Sequence, residues 1–307
     1  MSRLILTFDA SAAGALKSAK LADRVIAFGF CFVWGPLPTP DELRNANQND
    51  RLKLNELCEP FDTIELWADP EPNEQLQLIW LLHHLRPHAG IIAKSALVQP
   101  DFRIAEGVPV EWTRQRPRSV PIHHDHLEIA SAAWAAWRSP TPEAWFDLLS
   151  QDITPLPKLR NAMIALLEEL PMRATGLGAT EMRMLELLAE GHAHPLDLFP
   201  GDKKPNERRT YGYWEVGELL DGLARCPKPA ISGLTEGPFD MALHDSRDRH
   251  QRYRQSRLSL TDLGKAVLAQ ADDFSRHNPI HRWWGGTELT NERLWRWDPE
   301  SRALIAP

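Results

Sequence analysis

Short apolar runs alternate with amphipathic stretches through the first third of the chain. LILTF (4–8) is apolar almost throughout, as a strand buried on both faces is, and SAAGALKSAKLA after it has helical spacing. VIAFGFCFVW predicts one or two further strands and PDELRNANQNDRLKLNELC a helix. IELWA (64–68) predicts a strand, followed through the acid- and proline-rich junction DPEPNEQ by another helix. GIIAK (90–94) and VPVEWT (108–113) have the composition of two more strands. Apolar strands separated by helices predict a mostly parallel sheet covered on both faces. Residues 1–115 are therefore expected to form a Rossmann-like α/β domain.

The pattern changes after the basic, proline-rich TRQRPRSVP (113–121). HHDHLEIASAAWAAW, EAWFDLLS and KLRNAMIALLEEL are helical, and Leu159, Met163, Leu166, Leu167 and Leu170 form one stripe at helical spacing. Residues 116–175 thus read as a helical linker region. From there the order is helix, helix, helix, hairpin, helix. TEMRMLELLAEG and PLDLF are the first two helices; YWEVGELLDGLAR is the third, with Val216, Leu219, Leu220 and Leu223 on one face. PFDMALHD and RYRQSRLSLT are expected to pair as strands around an arginine-rich turn, and TDLGKAVLAQA to close the unit with Thr261 as its N-cap. That order predicts a winged-helix-like α+β domain over 176–275. The tail, 276–307, has a Gly-Gly and a Pro-Glu-Ser turn and is expected to fold as a small hairpin, with Trp283, Trp284, Trp295 and Trp297 packed against the body.

Charge and cysteine content narrow the function classes. A net charge of -7 gives no global attraction to nucleic acid or anionic membrane. The three cysteines, Cys31, Cys58 and Cys226, include no CxxC pair, which argues against a disulfide framework or zinc ribbon. With no signal-like or membrane-length apolar run either, a cytoplasmic location is expected. No serine elbow or Walker loop is present, so the pattern of residues names no catalytic group, metal-ligand set or cofactor.

Ligands of open parallel sheets bind outside the carboxyl ends of the strands. Asp9 follows LILTF, and Asp69, Glu71 and Glu74 follow IELWA, so these acids are expected on a common edge. Two readings stay open: helix capping, with Pro70 and Pro72 marking the entrance, or a ligand-facing group, including a hard cation held by Asp9, Asp69 and Glu71. Ser11 and Gly14 lie where helix amides can cradle a phosphate, although DASAAGAL lacks GxGxxG spacing. In HHDH (123–126), Asp125 and Glu128 fit a capping box better than a metal site. Pro87 interrupts the helix that a His84–His88 pair would need. The acidic Glu215, Glu218 and Asp221 on the third helix disfavour DNA; what basic charge there is lies in RDRHQRYRQSR, with Arg249, Arg252 and Arg254 as candidate phosphate contacts.

Several segments together, TFDASAAGAL, LWADPEPNEQLQL, LEIASAAWAAW, GLGATEMRML and IHRWWGGTELTNERLWRWD, resemble a bacterial family known as domain of unknown function 1835, often followed by domain of unknown function 3658. The resemblance runs over most of the chain and implies a shared fold, but little about activity. Members commonly carry Asp, His and Glu just before a Gly-Pro after the second strand. In FGFCFVWGPLP those places hold Phe30, Val33 and Trp34, so part of the family's polar set is absent. The expectation is a non-catalytic protein that binds a small anionic or nucleotide-like ligand and contacts a protein partner in a regulatory role. Asp9, Ser11 and Gly14 would line the phosphate side, Trp67, Asp69 and Glu71 the opposite wall, with Glu74 and Gln75 one turn deeper. The alternatives are metal-assisted hydrolysis of a phosphate ester by Asp9, Asp69 and Glu71, and DNA binding through the winged helix.

Overall fold

Five strands lie in the order β2-β1-β3-β4-β5: β1 (Arg3–Thr7), β2 (Arg24–Ala27), β3 (Thr63–Trp67), β4 (Ser95–Val98) and β5 (Val120–Pro121). The first four are mutually parallel, and β5 runs antiparallel to β4. In this computed structural model residues 2–39, 42–43, 54–113, 116–201 and 205–307 are described. The chain divides into two compact units, Met1–Ile164 and Ala165–Pro307. The helices of the first are α1 (Ala10–Ser18), α2 (Leu54–Cys58), α3 (Pro72–Leu85), α4 (Ala89–Ile92), α5 (His124–Trp137) and α6 (Glu143–Asp147), with α7 (Leu159–Leu167) at its end. The architecture is thus mixed α/β with a mostly parallel sheet.

One face of the sheet buries Ile5, Val25, Trp67 and Val98 against Ala12, Ala13 and Leu16 of α1 and against Ile104. Alternation along each strand sends Leu4, Leu6, Ile64 and Leu66 to the opposite side, where they too are fully buried. This two-sided burial is why LILTF and IELWA are almost wholly apolar; the exception, Glu65, is buried and paired with Arg116 at 3.0 Å. α3 packs along α5.

Two strand expectations are corrected, and a third is narrowed to its single-strand form. GIIAK holds the short helix α4, and the strand begins one residue after it, at Ser95. A short apolar run has no period that separates the two states. VPVEWT ends in a 3-10 turn (Val110–Thr113), whose Trp112 packs edge-on against Trp67 at 5.5 Å. Of VIAFGFCFVW, the strand is its first part alone. Beyond it, side chains of α3 satisfy the backbone in place of a neighbouring strand. Phe30 N–H donates to Gln77 Oε1 (3.0 Å), Phe32 N–H to Asn73 Oδ1 (2.8 Å), and Asn73 Nδ2 to Phe30 O (2.8 Å). Phe28, Phe30 and Phe32 then stack in series beside Trp80. The helix expected over PDELRNANQNDRLKLNELC falls mostly outside the described residues; α2 is its described end.

The second unit contains α8 (Ala179–Ala189), α9 (Tyr213–Ala224), β6 (Ile231–Ser232), α10 (Met241–Asp245), α11 (Arg247–Gln255), β7 (Ser259–Leu260) and α12 (Asp262–Leu268). PLDLF contributes only a 3-10 turn, Pro195–Asp197. The arginine-rich hairpin is a correction too: its residues form the consecutive helices α10 and α11, and the paired strands are β6 and β7. The Asp240 carboxylate caps α10 by accepting from Leu243 N–H at 2.8 Å. α11 turns Tyr253 inward and most of its charges outward. RDRHQRYRQ contains no alternation of apolar and polar positions, so nothing in it favours a half-buried strand.

Thr261 does cap α12. Its hydroxyl accepts from Gly264 N–H (3.1 Å) and donates to Pro229 O (2.7 Å). α12 approaches β6 so closely that a Cβ on Gly264 would overlap the Ala230 carbonyl oxygen. Gly264→Ala is expected to lower stability by about 1–3 kcal/mol, read as a shift of the urea midpoint at constant slope. The tail makes two hairpins, β8 (His281–Trp284) with β9 (Thr287–Thr290), and β10 (Arg296–Asp298) with β11 (Ala303–Ile305). Trp284 and Trp297 are buried, and Trp284 Nε1 donates to Leu166 O at 2.7 Å.

Candidate functional site

The chain leaves β1 for β2 on one side of it, then returns to β3 on the other. In open α/β sheets, the point where the direction of winding reverses is where ligands bind, among the loops outside the strand ends. Asp9 and Asp69 stand in the two loops concerned, near enough for the Asp9 charge to act on both Asp69 and Glu74.

Each acid has a local reason for its position. Asp9 is the N-cap of α1, its Oδ1 accepting from Ala12 N–H at 2.8 Å. Asp69, 2% exposed, accepts from Glu71 N–H through Oδ1 (3.1 Å) and from Ile104 N–H through Oδ2 (3.3 Å). It therefore ties the turn after β3 to the segment after β4. Glu71 strengthens that tie by an ion pair with Arg103, which also reaches Glu106 at 3.3 Å. Glu74, 4% exposed, accepts from Asp69 N–H at 3.4 Å. Gln75 Nε2 donates to Asp69 O at 2.6 Å, and Gln99 Nε2 to Gln75 Oε1 at 3.1 Å.

The electrostatics follow from this crowding. Burial, with the charge of Asp9 added, raises the Asp69 carboxyl above its ordinary range. Burial, then the charges of Asp69, Asp9 and Glu71, raise Glu74 to about 9, so it carries its proton at neutral pH. A neutral carboxyl beside a carboxylate is the arrangement that limits like-charge repulsion in a poorly solvated place.

Two further groups at this edge have unmet hydrogen-bonding capacity. Thr7 Oγ1 and Gln99 Oε1, at the carboxyl ends of β1 and β4, are buried and have no hydrogen-bond partner among the described residues. Such groups are uncommon in folded proteins, and each calls for a partner such as a water or a ligand atom.

Of the residues singled out in the sequence, Asp9, Asp69, Glu71, Glu74 and Gln75 thus meet at one edge. Ser11 and Gly14 lie on the exposed side of α1, and a side chain at Gly14 would find no atom within 4 Å. Trp67 does not line a wall. It is fully buried in the core beneath α1, and its indole N–H donates to Glu65 Oε2 at 2.9 Å. Thr7, Gln99, Arg103 and the Ile104 amide were not legible in sequence, because no motif marks them and three of the four come from one irregular segment. Near HHDH, helix α5 begins at His124, so Asp125 is inside the first turn. His126 is the cap partner, its Nδ1 accepting from His123 N–H at 3.2 Å.

The arginines of α11 divide. Arg249 and Arg252 both pair with Glu236, at 3.2 and 2.6 Å. Arg254 is exposed and acts electrostatically on Tyr213 and His250. On α9, Asp221 pairs with Arg225 at 3.0 Å. Among the described residues, no three His, Cys, Asp or Glu side chains come together so as to hold a metal ion, and no helix is long and apolar enough to cross a membrane. No family model and no curated protein sequence matches the chain.

Proposed function

We propose that the chain is a ligand-binding protein without catalysis of its own, whose Rossmann-like first unit takes a small nucleotide-like molecule at the carboxyl ends of β1 and β3. Its second unit, winged-helix-like in the order of α8, α9, β6, β7 and α12, serves a protein contact. The observation that carries the first part is the pair of unpartnered buried groups, Thr7 Oγ1 and Gln99 Oε1, beside a set of carboxylates at the winding reversal.

The chemistry favours one end of such a ligand. Asp9 already accepts from an amide at the start of α1, and Asp69 adds a second acidic group. A phosphate there would meet like charge, whereas sugar hydroxyls or an exocyclic amine would donate to these oxygens. The favoured ligand is therefore nucleoside-like and rich in donors. Metal-assisted hydrolysis has less support, because Glu74 is protonated and, among the described residues, no three His, Cys, Asp or Glu side chains come together to hold a metal ion. DNA binding has less support as well, since Glu236 occupies Arg249 and Arg252.

Thermal unfolding in the presence of nucleosides, nucleotides and free sugars tests the reading. A nucleoside at a hundredfold excess over its Kd is expected to stabilise by about 2.7 kcal/mol. Thr7→Val keeps the shape and removes the hydroxyl, so it should leave the free protein as stable as before while weakening that stabilisation. A panel with no effect, or an equal effect on the Val variant, would count against the site.

A further inference from the structure

We infer that the outer edge of β2 is a docking edge for an extended acidic peptide segment, which adds to the sheet as a further strand. The two edges of this sheet are built differently. At the far side β4 is closed by β5, two residues long and ending in Pro121, which has no N–H to offer a neighbour. β2 pairs with β1 on one side and with no strand on the other among the described residues. Its sequence, RVIA, contains no proline, and its single charge, Arg24, is at the exposed start of the strand.

A groove of about 660 Å³ runs beside that edge. Ala10 and Ala13 of α1 and Ala27 of β2 line it with small side chains, and Lys17, Lys20 and Arg24 add positive charge. The volume falls within the range of sites that hold small ligands or short side-chain arrays. Asp23, also at the groove, is engaged at its carboxylate by Arg3 N–H at 2.7 Å. The chain as a whole carries -7, so this basic lining is a local departure from the average.

Strand addition draws affinity from backbone hydrogen bonds and specificity from alternate side chains. Here the alanines leave room for every second side chain of an incoming segment, and acidic residues between them would meet the lysines. A second copy of the chain is the less suitable occupant, because edge pairing of two copies would set lysine against lysine. The acidic segment is the complement on both counts. The inference does not rest on the ligand site proposed at the carboxyl ends of β1 and β3.

The test uses the full chain and a fluorescein-labelled peptide with alternating Glu and Val, followed by fluorescence anisotropy. Three comparisons decide it: the same peptide with every second backbone amide N-methylated, a Lys-for-Glu peptide, and the protein variant Lys17→Glu/Lys20→Glu, whose changes lie at exposed positions. Binding of the parent peptide is expected, with each change weakening it by about tenfold or more. No anisotropy change with the parent peptide overturns the inference. So does N-methylated peptide binding as tightly as the parent, which would reduce the effect to charge attraction. Self-association in sedimentation that the Lys17→Glu/Lys20→Glu change abolishes would likewise overturn it, in favour of a second copy at this edge.

Discussion

Arg208→Met is expected to lower the stability of the chain by about 3–5 kcal/mol, because it strands a buried carboxylate. Glu169 is 3% exposed. Its Oε1 accepts from Arg208 Nε at 2.8 Å and from Thr180 Oγ1 at 2.7 Å, while Oε2 accepts from Thr180 N–H at 3.1 Å. Arg208 Nη2 reaches on to Glu168 Oε2 (2.9 Å) and Ala165 O (3.3 Å). The guanidinium thus neutralises Glu169 and joins the end of α7 to the segment before α9. Methionine keeps the stem and removes every donor, so Thr180 would be left as the hydrogen-bond donor to an ionised group out of water, with Arg282 acting on it only through space. The size of the loss reflects the uncompensated charge, not the strength of the pair. Hence Arg208→Met/Glu169→Met should be less destabilised than Arg208→Met alone, although it removes more. Chemical denaturation of the wild type, both single variants and the double variant gives the full cycle. A single-variant loss below about 1 kcal/mol, the range of exposed ion pairs, would mean that water reaches Glu169.

Glu74→Gln is expected to stabilise the chain at alkaline pH and to flatten its pH dependence. In the unfolded chain Glu74 titrates near its ordinary 4.5, whereas burial and the neighbouring carboxylates raise it to about 9 in the folded chain. Between these values the folded state holds a proton that the unfolded state has released. Stability therefore falls as pH rises across that window, with a slope of up to about 1.4 kcal/mol per pH unit from this one group. Below the window the contribution is complete; above it the loss is complete. Asp69, raised for the same leading reason, acts in the same direction. Glutamine keeps an oxygen for Asp69 N–H and never ionises. The variant and the wild type should therefore be nearly alike near pH 5 and separate by about 2 kcal/mol or more by pH 8. Urea midpoints at a series of pH values measure the gap. Curves that run parallel from pH 5 to 9 would mean that Glu74 ionises normally, and with it would go the picture of a neutral carboxyl beside Asp69.

Much of the first unit could be read from the chain because its signals are local. LILTF and IELWA, but for Glu65, lack the polar alternation of a half-wet strand, and the strands they mark are buried on both sides. The helix after IELWA begins at Pro72, at the place its proline and acids announce, and Thr261 caps α12 as its position before DLGKAVL suggests. The common edge of Asp9 and Asp69 followed from the same reading, since parallel strands end on one side.

The errors are instructive for the opposite reason. Gly90-Ile91-Ile92 is as apolar as a strand and forms a helical turn, while Ser95–Val98 becomes β4 by pairing with β3, a partner some thirty residues earlier. Trp67 follows the strand pattern, but which face it takes depends on α1 and Trp112 covering that side. The arginine-rich segment forms α10 and α11 with Tyr253 buried, although its residues lack the alternation that the strands expected there would need.

The end caps at Asp9 and Thr261 and the apolar runs of β1 and β3 are local signals, and for those the order of residues was sufficient. The pairing of Arg103 with Glu71 and the amide of Ile104 on Asp69 depend on loops that meet only after the sheet has assembled, and burial of the whole leaves Thr7 Oγ1 and Gln99 Oε1 without a partner among the described residues. Burial sets the protonation of Glu74, and burial is a property of the packed whole.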